Sequence, residues 1–173
     1  MNLPKRQPMR LKDCDYNTPG AYFITICTKD KKNLLSEIVG TGVLDCPKNI
    51  LSEYGKIANN HITAMNNFYN NISVDKYVIM PNHIHLLLRI LHTENGQSGT
   101  PVPTKANSVI SRFVSTFKRF CNKEYGQNIW QSRSYDHVVR GEQDYKEICE
   151  YIDNNPTKWK NDCFYSVGQS DRT

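Results

Sequence analysis

No stretch of this 173-residue sequence approaches the run of about 20 apolar residues that a membrane-spanning helix needs. It also has no GxxxxGK[ST] phosphate loop, which excludes nucleotide-driven reactions of that class. The six cysteines are Cys14, Cys27, Cys46, Cys121, Cys149 and Cys163. None form a CxxC pair or combine with histidine at zinc-finger spacing, so a zinc module or dithiol redox centre is not expected. Cys27 and Cys121 sit in apolar stretches as small core residues. Unpaired cysteines suit a reducing cytoplasm. The opening segment MNLPKRQPMRLKD is basic but has no apolar run behind it, and is not expected to act as a signal peptide. No internal repeat or coiled-coil heptad is visible.

What is present is a polar chain with enough apolar material for one core. Hydrophobic residues make up 38 %, and the mean hydropathy is −0.63. The net charge is +5 and the isoelectric point about 8.8, a balance that favours a phosphate-bearing partner.

Residues 1–18 read as a basic arm, 19–160 as one domain and 161–173 as a tail. Within the domain, AYFITICT (Ala21 to Thr28) is rich in aromatic and β-branched residues and predicts a strand. Residues 36–48 read as a loop with room for a short strand pair. From Leu51, apolar residues recur at helical steps through Tyr54, Ile57, Ala58, Ile62 and Met65, until NNFYNN ends the helix with turn chemistry. VDKYVIM and HIHLLLRI predict a strand hairpin around Pro81 and Asn82. Residues 92–106 carry no period and read as a mobile surface loop. A helix capped by Asn107 or Ser108 follows, with Val109, Phe113, Phe117, Phe120 and Cys121 as its apolar stripe. YDHVV predicts a fourth strand. A last helix runs from about Gln143 to Asn154, where Pro156 stops it. The order β-α-β-β-α-β is that of an α+β, ferredoxin-like antiparallel sheet, with an extra C-terminal helix. Helices on one face of that sheet would leave its other face free for a substrate.

Two constellations carry possible chemistry. His83 and His85 lie at i and i+2 of a strand, so both rings point to one face with Cα atoms roughly 6–7 Å apart. Ile84 points the other way, into the core. Two imidazoles so placed can converge on a cation, although a third ligand is still required; partly exposed histidines without a ligand fit the spacing as well. On the last helix, Ile148 and Ile152 form the buried ridge, and Tyr145 extends it by one turn. Tyr151 and Asn155 form a second ridge, offset by about 60°, where a tyrosine hydroxyl stays partly wet. The same pattern fits helix-edge packing by Tyr151 and a C-cap at Asn155.

Taken in order, MPNHIHLLLR, a helix, IWQSRSYDHVVR and YKEICEYIDNNPTKW resemble the HUH single-tyrosine transposases, and most closely their REP-associated branch. The resemblance covers about residues 18–160. It implies a ferredoxin-like fold, metal ligation by His83 and His85, Tyr151 as nucleophile and Asn155 completing the metal site. Insertion-sequence members of the family have a glutamine at the position of Asn155. It further implies Mg²⁺ or Mn²⁺ as cofactor and nicking of single-stranded or hairpin DNA through a 5′-phosphotyrosine. The implied setting is the bacterial cytoplasm at the nucleoid, with no membrane partner, as a monomer or homodimer. Trp130, Gln131, Asp136 and His137 match the branch pattern; His137 is expected to brace the fourth strand against the last helix. Lys5, Arg6, Arg10 and Lys12 in the arm, and Arg112, Lys118 and Arg119 on the second helix, are the candidate DNA-backbone contacts.

Other readings remain. A non-catalytic module binding RNA or hairpin DNA would stack bases on exposed sheet aromatics, for which Tyr22 and Phe23 are candidates. A phosphoesterase with paired His-x-Thr motifs is not expected, because the sequence has one His-x-His and a single His-x-Thr, His61-Ile62-Thr63, with no second to pair it.

Overall fold

The computed structural model describes residues 18–40, 47–91 and 108–165. The strands are β1 (Gly20–Cys27), β2 (Ser36–Val39), β3 (Lys48–Leu51), β4 (Ile72–Ile79), β5 (His83–Ile90) and β6 (Tyr135–Val138). The helices are α1 (Glu53–Phe68), α2 (Val109–Tyr125) and α3 (Gly141–Asn154). A four-stranded sheet has the order β4-β5-β1-β6, with every neighbouring pair antiparallel. β2 and β3 form a separate two-stranded ribbon. With the ribbon set aside, the order is the ferredoxin-like one expected from the sequence. β2 lies within residues 36–48 and β3 begins at the end of that stretch, where the sequence left room for a short strand pair. Residues 1–17 of the basic arm and the 92–106 loop lie outside the described residues.

Strand alternation sorts the sheet into two unlike faces. Ile24 and Ile26 on β1 stand opposite Leu86 and Ile84 on β5. All four are fully buried with Ala58, Ile62 and Met65 of α1 and Phe113, Phe117 and Cys121 of α2. Burying side chains of this size stabilises the fold by roughly 1.5–3 kcal/mol each. Ser52 caps α1 by accepting from the Gly55 amide at 3.1 Å. Ser108 caps α2 by accepting from the Ser111 amide at 3.1 Å. α2 ends at Gly126, whose φ of 67° is a left-handed cap that glycine adopts without strain.

The other face is covered, which corrects the expectation of a free sheet surface. α3 lies on it, and Leu87 of β5 packs with Ile148 and Ile152 in a second, smaller cluster. The sequence pattern places Ile148 and Ile152 on one ridge but cannot say which sheet face receives them. Polar contacts fix the helix as well. A register shift between Val74 and Lys76 is followed by an ion pair from Lys76 to Asp153 at 2.6 Å. Asp75, inside that bulge, accepts from Arg89 at 2.7 Å and from the Tyr145 hydroxyl at 3.0 Å. His137 on β6 reaches Asp144 at 2.9 Å, the brace between the last strand and last helix that the sequence suggests. Exposed ion pairs of this kind contribute little energy singly; together they fix where α3 sits, and so where Tyr151 points.

Candidate metal and nucleophile site

His83 and His85 begin β5 on the α3 face, and both are completely buried. Their Nε2 atoms face each other at 2.9 Å. The outward nitrogens are occupied. His83 Nδ1 lies 2.9 Å from Asn82 Oδ1, and His85 Nδ1 lies 2.9 Å from Thr25 Oγ1, the residue paired with it across β1. Asn82 uses its amide nitrogen on the carbonyls of Lys31 at 3.2 Å and Phe164 at 2.8 Å. Its Oδ1 therefore accepts from His83 Nδ1–H, which leaves the lone pair of Nε2 for the centre, an outer-shell arrangement common at metal-binding histidines. Burial pushes both imidazoles down to about 3, with the charge of Lys31 adding to the effect on His83 and that of His83 on His85. They are neutral at physiological pH, the form that binds metals.

Tyr151 comes from α3, with 40 % of its surface exposed. Its hydroxyl is 3.2 Å from His85 Nε2, and Phe23 packs edge-on against its ring at 6.0 Å. Burial, then the negative charge of Asp162, pushes the phenol up to about 12. It is protonated at neutral pH and needs positive charge nearby to become a nucleophile. Asn155, one turn further, is 2 % exposed. It donates through Nδ2 to Asp162 at 3.1 Å, while its Oδ1 is buried without a hydrogen-bond partner. Tyr145 is turned away to Asp75.

Asp162 is the residue that sequence reasoning missed; it lies beyond the boundary drawn at residue 160. Its Oδ2 is 3.3 Å from the Tyr151 hydroxyl, and its Oδ1 accepts from the Phe164 amide at 2.7 Å. Among the described residues, His83, His85 and Asp162 bring ligand atoms within 4.8 Å of one another. The surrounding segment is packed. After a 3-10 turn at Trp159–Asn161, the rings of Trp159 and Phe164 lie 5.9 and 4.6 Å from that of His83. Lys31 donates to the Cys163 carbonyl at 3.3 Å. The segment's aromatics, Trp159, Phe164 and Tyr165, are the signal in the sequence that it packs onto the domain.

A divalent cation fits this donor set. Two neutral imidazoles and one carboxylate converge, and the Oδ1 of Asn155, whose Nδ2 bonds to that carboxylate, is buried without a partner, which is costly unless something binds it.

The candidate DNA contacts are scattered. Lys5, Arg6, Arg10 and Lys12 lie outside the described residues. Arg112 and Arg119 are exposed on α2. Lys118 is turned inward, donating to the carbonyls of Gln131, Ser132 and Arg133 at 2.7, 3.5 and 3.3 Å. Burial lowers its ammonium to about 8. Of the remaining branch-pattern residues, Trp130 is buried against Phe117 at 5.6 Å, and the Gln131 amide donates to the Cys27 carbonyl at 2.9 Å. Asp136 sits on β6 opposite Ile24.

No protein-family profile matches the chain. An uncharacterized protein of Haemophilus influenzae is 32 % identical over 92 % of this chain and 93 % of its own length. A REP-associated tyrosine transposase of Escherichia coli is 27 % identical over 49 % of this chain and 44 % of its own. Among solved structures, a REP-associated tyrosine transposase bound to a REP hairpin superposes with a TM-score of 0.59 at 19 % identity, covering 87 % of this chain and 74 % of that one. That similarity is one of fold.

Proposed function

We propose that the chain is a REP-associated tyrosine transposase, as its 27 % identical Escherichia coli relative is named, and that it nicks single-stranded DNA beside a hairpin and rejoins it, using Tyr151 as nucleophile. The observation that carries this reading is the convergence, within one chain, of the Tyr151 hydroxyl on His85 Nε2 at 3.2 Å beside a three-residue ligand cluster.

His83, His85 and Asp162 would hold Mg²⁺ or Mn²⁺, with Asn155 Oδ1 as a further donor. Held there, such a cation would supply positive charge to offset that gathering on the scissile phosphate. Tyr151 Oη attacks phosphorus in line. One bond forms between Oη and phosphorus, and the bond from phosphorus to the 3′ oxygen breaks. The phenolic proton leaves toward Asp162 Oδ2, 3.3 Å away, and the departing 3′ oxygen takes up a proton to become a hydroxyl. The product is a 5′-phosphotyrosine. Attack by a 3′-hydroxyl reverses the step, and bond energy is conserved without a nucleotide cofactor. Phe23, stacked on His85 with ring centroids 5.0 Å apart, keeps that imidazole facing the centre.

Covalent capture tests the assignment. The full chain is incubated with Mn²⁺ and a single-stranded oligonucleotide carrying a hairpin from the DNA flanking its own gene, then run on a denaturing gel. We expect a protein–DNA adduct that is lost on chelation with EDTA and in His83→Ala/His85→Ala. An adduct that persists in the double variant would contradict the metal assignment.

A further inference from the structure

Away from the histidines, a cavity of about 680 Å³ opens between α2 and the segment that enters β6. α2 contributes Ser111, Ser115 and Arg119 to one wall, and Ser132, Arg133 and Ser134 form the other. No carboxylate lines it. Neither arginine forms an ion pair among the described residues. Lys118 ties the two walls together through its bonds to the carbonyls of residues 131–133, so their spacing is built in. A second cavity of about 490 Å³ shares Ser132 and Arg133 with the first, and its lining includes Lys29, Tyr135 and a single carboxylate, Asp30. Tyr135 is 48 % exposed. Its ring lies 6.5 Å from that of Phe164, which packs 4.6 Å from the ring of His83. Arg133 therefore stands where the two cavities meet, and the second leads to the edge of the tyrosine–histidine site.

We propose that the two cavities form one continuous track for single-stranded DNA running to the scissile phosphate, with Arg119 and Arg133 on backbone phosphates and Tyr135 stacked on a base. The proposal rests on the nicking function above and names the part of the substrate that this surface takes. Guanidinium groups and hydroxyls without an acidic neighbour suit phosphate oxygens. An exposed aromatic face stacks any base without reading its sequence. Lys118 is a positioning residue here: its ammonium is committed to the carbonyls that hold Arg133 in place.

Fluorescence anisotropy tests the track, using the full chain, a labelled single strand without a hairpin, EDTA to prevent cleavage, and a series of KCl concentrations. Each phosphate contact to a single strand contributes about 0.7 to the slope of log affinity against log salt. Arg119→Ala/Arg133→Ala should bind about tenfold more weakly, with the slope reduced by about 1.4. Arg119→Gln/Arg133→Gln should show the same slope change, which excludes a folding defect as the cause. Tyr135→Ala should bind about fivefold more weakly or worse with the slope unchanged. Wild-type affinity and slope in both arginine variants would overturn the track, even if the wild-type chain forms the covalent adduct, and the nicking assignment would then stand alone. If the variants behave as expected but no adduct forms, the track stands and the nicking assignment fails.

Discussion

At the scale of single residues, Asp162 changes the role left for Asn155. The resemblance makes Asn155 the third metal ligand, yet its amide nitrogen is committed to Asp162 and only Oδ1 is free for a cation. A carboxylate is the stronger partner for a hard divalent ion. Asp162→Ala should weaken Mn²⁺ binding to the full chain by at least about tenfold, measured by calorimetry, and Asn155→Ala should weaken it less. The reverse ranking would return the third position to Asn155. The histidines were legible because a period of two fixes their shared face whatever surrounds them. Tyr151 and Asn155 were legible as a ridge distinct from Ile148 and Ile152. Asp162 was not. It follows the proline stop in a stretch without period, and contacts distant in sequence hold it in place. Asn82 bonds to the Phe164 carbonyl and Lys31 to that of Cys163.

Among the elements, α1 shows where local propensity misleads. Gly55 lies in its first turn, where alanine would ordinarily add about 1 kcal/mol of helix stability. A Cβ at this position would come within 2.0 Å of the Leu35 carbonyl oxygen and 3.3 Å of Leu51 Cβ. That carbonyl already accepts from the Ser52 amide at 2.9 Å and cannot easily withdraw. Gly55→Ala should therefore destabilise the protein by about 1–3 kcal/mol in urea unfolding. A gain in stability would mean that the ribbon and α1 separate more readily than their contacts indicate. Strands β4 and β5 and helices α2 and α3 follow the sequence pattern closely because apolar periodicity and caps act locally. The side of the sheet on which α3 docks was not legible. It depends on Leu87, Asp75 and His137, which receive the helix from three different strands.

The whole molecule is a sheet with two unlike faces. One face, under α1 and α2, holds the larger apolar core. The other is narrow, sealed by α3 and the 159–165 segment, and gathers neutral histidines, a protonated tyrosine and a carboxylate. None of the described helices is long and apolar enough to cross a membrane. The net charge of +5 suits a nucleic-acid partner. Arg119 and Arg133 place part of that charge beside the approach to the reactive face. The claim that joins these features is that one chain uses its own Tyr151 to break a DNA strand. It is tested most directly by digesting the covalent adduct with protease and nuclease and finding the nucleotide-bearing residue by tandem mass spectrometry. The account predicts a nucleotide joined through its 5′-phosphate to Tyr151, and no adduct from Tyr151→Phe. A nucleotide on any other residue, or an adduct that survives Tyr151→Phe, would contradict it.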